Sequence, residues 1–447
     1  MAGAGFALSR GMNKLMLIAM SLGALAACKG EALKTEVPAS EASTVPAAPE
    51  SPAPQNLEPV KSSTSNIDAS ETAAEIASAE PIEMASSLAS PEPSATPSAP
   101  PSAVPAAPQL MDVAAPDPTA GWPRVYLHYD YMVAASGHSH EPSASAIQLV
   151  VDAFQRQGVV LDIDPVHHPI PESMVVTLDP QIIACSGADS IDIGEVKTRY
   201  YKARNAQEHY AVFAHYNTCS SPGACTRCKA TPRVAGNQQF GTTGIAAVGG
   251  RDLIVSLGQL VDFGLEIMPD VINAGTLMHE LGHNFGLLHG GGDHVNEKPN
   301  YLSVMNYTYQ YGIGTVKDPH YRGTTAEDPT LEEYVIDYSD RALPALHEGI
   351  LDRGQCVSDG RLQKPDGMNE ERGLNDHSNK VVVFFRDDPE FGVSMAYSVA
   401  NGNPIDWNFN GNSTENSAYA DVNGDGQCTI LNGFDDWAAV KSFLKRR

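Results

Sequence analysis

"HELGHNFGLLH", His279 to His289, gathers three histidines, one glutamate and two glycines into eleven residues. It closes the longer stretch "PDVINAGTLMHELGHNFG", in which Pro269 suits a helix start and Gly286 a helix end. In a helix, residues four apart share one face. His279 and His283 therefore aim two imidazoles at one point, and Glu280 stands beside them. This is H-E-x-x-H, in which the histidines bind zinc and the glutamate is a general base. A catalytic zinc takes three protein ligands and leaves one place for water. Were the helix simply to continue, His289 would be carried round and along the axis, out of reach. Gly286 can take the left-handed conformation that ends a helix. Leu287 and Leu288 then pack under the turn, and His289 swings back as third ligand. The bland alternative makes these histidines satisfied core groups. It is disfavoured because polar clusters on an apolar helix are costly without a partner.

Working outward, "RVYLHYDYMV" from Arg124 alternates and is rich in aromatic and β-branched residues, which predicts a strand. "SASAIQLVVDAFQRQG" opens with serines, keeps an apolar stripe at helical spacing and closes at Gly158. "VVLDIDPV", "HYAVFAHYN" and "RDLIVSLGQL" read as further strands. Strand, helix, strand, more strands and a second helix imply a mixed α+β domain with a sheet backed by helices. After Gly290 the periodic stretches shorten. Only "FDDWAAVKSFLKR" looks helical, so an irregular C-terminal subdomain held by disulfides is expected. The predicted domain spans 120–447, divided into an upper part, 120–289, and a lower part, 290–447.

The extended pattern H-E-x-x-H-x-x-G-x-x-H resembles the metzincin zinc metalloproteases, which carry a methionine-bearing turn downstream. "NYLSVMNY" supplies one, with Met305 16 residues beyond His289. Ser303-Val304-Met305-Asn306-Tyr307 fits S-x-M-x-Y and looks like the astacin and serralysin branches. The resemblance implies a twisted, mostly parallel sheet with an active-site helix. It makes Met305 a packing floor and Tyr307 a catalytic residue that hydrogen-bonds the oxyanion, the alternative for Tyr307 being a buried turn aromatic. It implies a zinc-dependent metalloendopeptidase acting on protein or peptide, with Glu280 as general base on zinc-activated water. The residues after His289, "GGGDH", settle no named branch. A rival from another class is a catalytically silent surface-binding module on the same scaffold; the intact Glu280 and histidine set argue against it.

A second metal is suggested further on. "DWNFNG" (Asp406, Asn408, Asn410) and "DVNGDG" (Asp421, Asn423, Asp425) fit the first half of a calcium loop, with oxygen donors at alternate positions and a glycine at the bend. Position 12 holds Ser417 and Asn432 instead of glutamate, so Asp435 or Asp436 is expected to complete a Ca2+ site. Ordinary Asn/Asp/Gly turns are the alternative. His138, His140, His167 and His168 fall in predicted loops and read as solvent-facing.

At the other end, Arg10 and Lys14 precede "LMLIAMSLGALAA", a basic start and short apolar run of export-signal type. Leu25-Ala26-Ala27-Cys28 resembles the bacterial lipobox, implying cleavage and lipidation at Cys28 (the alternative being an ordinary cleaved signal). Residues 1–28 are thus read as a lipoprotein signal peptide. Residues 29–119, rich in Pro, Ala, Ser and Glu, read as a disordered tether that cannot bury enough apolar surface to fold. An exported, cell-envelope lipoprotein of the outer membrane or cell surface follows, meeting the membrane through its N-terminal lipid. Setting Cys28 aside leaves six of the seven cysteines, an even number suited to disulfides in an oxidising compartment. The formal charge of −25 gives no basic patch for phosphates, so no nucleic-acid partner is expected.

Overall fold

The structure, a computed structural model, describes residues 118–173, 175–178, 190–217, 243–258, 260, 268–317, 331–360, 367–388 and 392–446. The signal segment with Cys28, nearly all of the tether, and Cys185, Cys219, Cys225 and Cys228 lie outside the described residues.

A mostly parallel sheet forms the centre. Strand β1 (Arg124–Val133) leads into helix α1 (Ala144–Arg156) and returns through β2 (Val160–Ile163) beside β1, a βαβ unit. Ser143 caps α1 by accepting from the Ala146 amide, and Gly158, at φ +69°, turns the chain out of it. The chain continues through β3 (Pro169–Pro171), β4 (Val175–Thr177), β5 (Ser190–Asp192), helix α2 (Ile193–Tyr200), β6 (His209–Ala214), β7 (Gly244–Ala246) and β8 (Asp252–Ser256). The main sheet has the order β2-β1-β6-β8-β7, with β3 also paired to β1. Every pair is parallel except β7 with β8, so β7 is an antiparallel strand at the sheet edge.

Alternation sorts the sheet residues by face. Leu127, Tyr129, Ala211, Phe213, Leu253 and Val255 pack with α1 and with helix α3 (Pro269–Asn284). Their neighbours Met132, Tyr210, Val212, Ala214 and Ile254 pack on the other face with Val176 and α2 residues Ile193 and Val196. Both faces being covered, the central strands are buried throughout, as β6 is at all six positions. Helix α3 has twelve buried residues, which explains why it shows no clear polar face.

Beyond α3 the expected irregular region resolves into small antiparallel pairs: β9 (Ile313–Val316) with β10 (Leu331–Val335), β12 (Ile350–Asp352) with β13 (Gln355–Val357), β14 (Val381–Asp388) with β15 (Gly392–Val399), and β11 (Leu346–His347) with β16 (Ile430–Leu431). The hairpin β14–β15 carries a second apolar cluster, in which Val382, Phe384, Ala396, Trp407 and Val422 are buried. A disulfide joins Cys356 to Cys428, tying β13 to the segment before β16. The chain ends in helix α4 (Asp436–Lys445), whose Trp437 and Val440 join the upper core beside α1 and α3. The predicted final helix thus belongs to the first cluster, although its sequence neighbours belong to the second. No described helix is long and apolar enough to cross a membrane.

Candidate metal centre

The three histidines of the opening stretch converge. Ring centroids lie 4.8 Å apart for His279–His283, 5.3 Å for His279–His289 and 5.0 Å for His283–His289. One nitrogen from each lies within 4.8 Å of the other two. His279 Nδ1 donates to the Val304 carbonyl (2.7 Å) and His283 Nδ1 to the Leu287 carbonyl (2.8 Å). A carbonyl cannot donate, so these bonds fix the proton on Nδ1 and leave each Nε2 with a lone pair for a metal. Burial lowers the pKa of all three, and His289 is pushed down to about 3, with His283 and His294 adding to the effect. Neutral imidazoles are the ligand form.

The helix end that returns His289 is a Schellman turn. Gly286 stands at φ +90°, its amide donates to His283 O (2.9 Å), and the Leu287 amide donates to Gly282 O (3.0 Å). Leu288 and Gly291 then exchange both backbone hydrogen bonds, so His289 rides on a tight loop. Buried Lys298 holds this loop by donating to Gly290 O (2.7 Å), Asn432 O (2.7 Å) and the Asp293 carboxylate (3.2 Å).

Below the histidines runs the methionine turn. Met305 is fully buried, and a Cβ placed on Gly282 would overlap its sulfur. The thioether therefore lies directly under the helical turn between His279 and His283. The Val304 carbonyl that orients His279 belongs to the same turn. Tyr307 stacks beside the cluster, its ring 4.1 Å from His289 and 5.7 Å from His279. Burial, and then the nearby Glu280 charge, raise its pKa, so the phenol keeps its proton.

Glu280 is buried, and burial raises its carboxyl well above the ordinary range. Its Oε2 is a buried atom without a hydrogen-bond partner. Edge strand β7 presses on it from the sheet: a Cβ on Gly244 would overlap the carboxylate. Asn284 fixes that approach by donating to Ala247 O (3.0 Å) and Asp252 O (3.1 Å), and the Gly249 amide donates to His283 O (2.8 Å). Three convergent imidazole nitrogens, two of them with the tautomer fixed by a carbonyl, and an orphaned carboxylate oxygen fit a zinc ion with a water beside it.

The candidate calcium residues divide differently from the sequence expectation. Asp406 accepts from the Asn410 amide (3.2 Å), and Asn408 and Asn410 both donate to Glu415 (2.8 and 2.9 Å). Asp421 accepts from the Asp425 and Gly426 amides (3.2 and 2.8 Å), and Asn423 donates to Asp425 (3.1 Å). Asp436 is not gathered with either loop. It is fully buried at the start of α4 and accepts from Tyr301 Oη (2.7 Å), Ser303 Oγ (2.5 Å) and the Ser339 amide (3.2 Å). Its carboxylate anchors the methionine turn from below. Asp435 caps α4 by accepting from the Ala438 amide (2.8 Å). A residue the sequence reading missed is Glu370. Its Oε1 accepts from the Trp407 amide (2.9 Å), while its Oε2 is buried with no partner. Burial and the charges of Asp406 and Glu415 raise it to about 7. No sequence signal marks it, because it lies 36 residues before Asp406.

Comparison with known proteins yields no matching family model and no matching curated protein. Among solved structures, a zinc-dependent peptidase from Methanocorpusculum labreanum aligns at 15% identity and a TM-score of 0.23, covering 40% of this chain and 87% of that one.

Proposed function

We propose that the chain is a zinc-dependent metalloendopeptidase of metzincin type. The observation that carries the reading is the pairing of three convergent imidazoles with the unpartnered Oε2 of Glu280. His279, His283 and His289 would hold the ion, which when bound supplies Lewis acidity at a scissile carbonyl and lowers the pKa of water beside it. Glu280 would take a proton from the attacking water as the water oxygen bonds to the carbonyl carbon, and would return it to the amine nitrogen as the C–N bond breaks. The Tyr307 phenol, still protonated, donates a hydrogen bond to the oxyanion. Among the described residues strand β7 is the last of the sheet and lies beside Glu280, which would place an extended peptide running along it next to the general base. The test is hydrolysis of casein or a quenched peptide by the zinc-loaded chain, with a chelator control and Glu280→Gln. Cleavage that survives both would refute the assignment.

Two structural features support ancillary roles. The Asp406 and Asp421 loops each keep carboxylate and asparagine side chains at alternate positions around a tight bend, and we assign them a calcium-binding, stabilising role. The Cys356–Cys428 disulfide suits an oxidising compartment, in keeping with export as a lipid-anchored protein through Cys28.

A further inference from the structure

We propose a second zinc site, separate from the first, formed by His138, His140, His215 and Glu172. His138 and His140 stand in the loop after β1, Glu172 just after β3, and His215 just after β6. Strand β1 lies between β3 and β6 in the sheet, so the four residues meet where three adjacent strands end. The three histidines each offer one nitrogen within 4.8 Å of the others. Their rings are spaced as in the first triad: 4.7 Å for His138–His140, 5.1 Å for His140–His215 and 6.2 Å for His138–His215.

Donor separations decide between a metal site and a hydrogen-bonded cluster. Four ligands at roughly 2.0 Å around a tetrahedral ion stand about 3.3 Å from one another. His140 Nε2 and His215 Nδ1 are 3.3 Å apart, His215 Nδ1 and Glu172 Oε1 3.6 Å, and His140 Nε2 and Glu172 Oε1 2.8 Å. One carboxylate oxygen thus faces two imidazole nitrogens that also face each other, around a common point. The cluster His128, Asp130 and His168 makes the contrast. There His128 bonds Asp164 through Nδ1 (2.9 Å) and Asp130 through Nε2 (3.1 Å), so both ring nitrogens donate and neither can ligate. Burial opposes protonation of His128, but the two carboxylates outweigh it and its pKa is raised.

The site borders a pocket of about 240 Å³ that Asp270 and Asn273, near the start of α3, also line. His279 lies nine residues beyond Asp270, roughly 14 Å along the axis at 1.5 Å per residue, so the two ions would be distinct. Three imidazoles and a carboxylate leave no open position, which makes this ion structural. It would clasp the loop after β1 and the segment after β3 to the end of β6. Glu172 and His140 already begin this clasp, their amides donating to Val133 O (3.1 Å) and Met132 O (2.9 Å).

The test counts zinc per chain by mass spectrometry after loading and desalting. Wild type should hold two, His140→Ala/His215→Ala one, and His279→Ala/His289→Ala one. A wild-type ratio of one, an unchanged ratio in the 140/215 variant, or none left in the 279/289 variant would overturn the proposal. Because ligand removal could unfold the strand ends, anomalous diffraction at the zinc edge from zinc-loaded wild type gives a reading free of variants. A second peak bonded to His140 and His215 supports the site, and a single peak, or a second one elsewhere, sinks it.

Discussion

Gly244 lies so tightly against Glu280 that a Cβ at position 244 would overlap the glutamate carboxylate. The edge strand and the helix are thereby held at a separation that only glycine permits. Gly244→Ala must displace β7 or turn Glu280 aside. Because a shift near 1 Å at a reacting group costs on the order of 100-fold, kcat should fall by about that factor. Zinc content should not change, which separates a positioning defect from loss of the ion.

Glu280→Gln keeps the shape of the side chain and removes its basicity. Peptide hydrolysis should drop by at least about 100-fold to 10,000-fold, the range of general acid–base contributions. Zinc bound at His279, His283 and His289 should stay at the wild-type level. Wild-type turnover in this variant would end the peptidase reading.

Asp436 is the buried anchor of the methionine turn, taking hydrogen bonds from Tyr301, Ser303 and Ser339. Asp436→Ala leaves those donors unmatched and should destabilise the chain by about 2–4 kcal/mol, measured by urea unfolding. The pH dependence has a definite sign. Burial raises this carboxyl to about 6, above its unfolded value, so the folded state binds the proton more tightly. Its ionisation therefore lowers stability as pH rises from roughly 4 to 6, by at most about 3 kcal/mol. Comparing wild type with Asp436→Asn, both zinc-free, should show this limb in the first and not in the second.

Glu370 is held up to about 7 by burial, with Asp406 and Glu415 adding to the effect. Its folded value lies above its unfolded one, so it contributes stability at low pH that is lost as pH rises toward about 7, and Glu370→Gln should remove that limb. Millimolar calcium should raise the wild-type Tm, and Asp406→Ala should lose part of the rise while keeping zinc. An equal rise in both would remove the Asp406 loop from calcium binding.

Cys356 and Cys428 are 72 residues apart, so the bridge closes a long loop in the unfolded chain. Replacing both with serine should cost about 2–4 kcal/mol in denaturant unfolding. The loss should fall on the β14–β15 region, seen by hydrogen exchange, with zinc binding preserved.

Local pattern made much of the frame legible. Helical spacing placed His279, His283 and Glu280 together, and Gly286 marked the turn that returns His289, because both depend on backbone geometry within a few residues. Alternation marked β1 for the same reason, and the stretches of β6 and β8 also read as strands. The second half is less legible: β14 pairs with β15, its neighbour in sequence, yet Phe384 and Trp407 bury against each other from separate segments.

The sequence by itself determined the zinc-binding pattern, the helix that carries it and the sheet behind it, since these follow from 3.6- and 2-residue periods. Only the tertiary structure decided what surrounds them. Gly244 meets Glu280 from 36 positions away, Asp436 reaches Ser303 from 133, and His215 joins His140 from 75. Asp436 reads as a calcium ligand on charge and spacing, and becomes the floor of the methionine turn once α4 packs into the upper core. His138 and His140 read as loop histidines until β6 brings His215 beside them. Contacts at such separations are set by which strands pair and which faces are buried, and no local period records them.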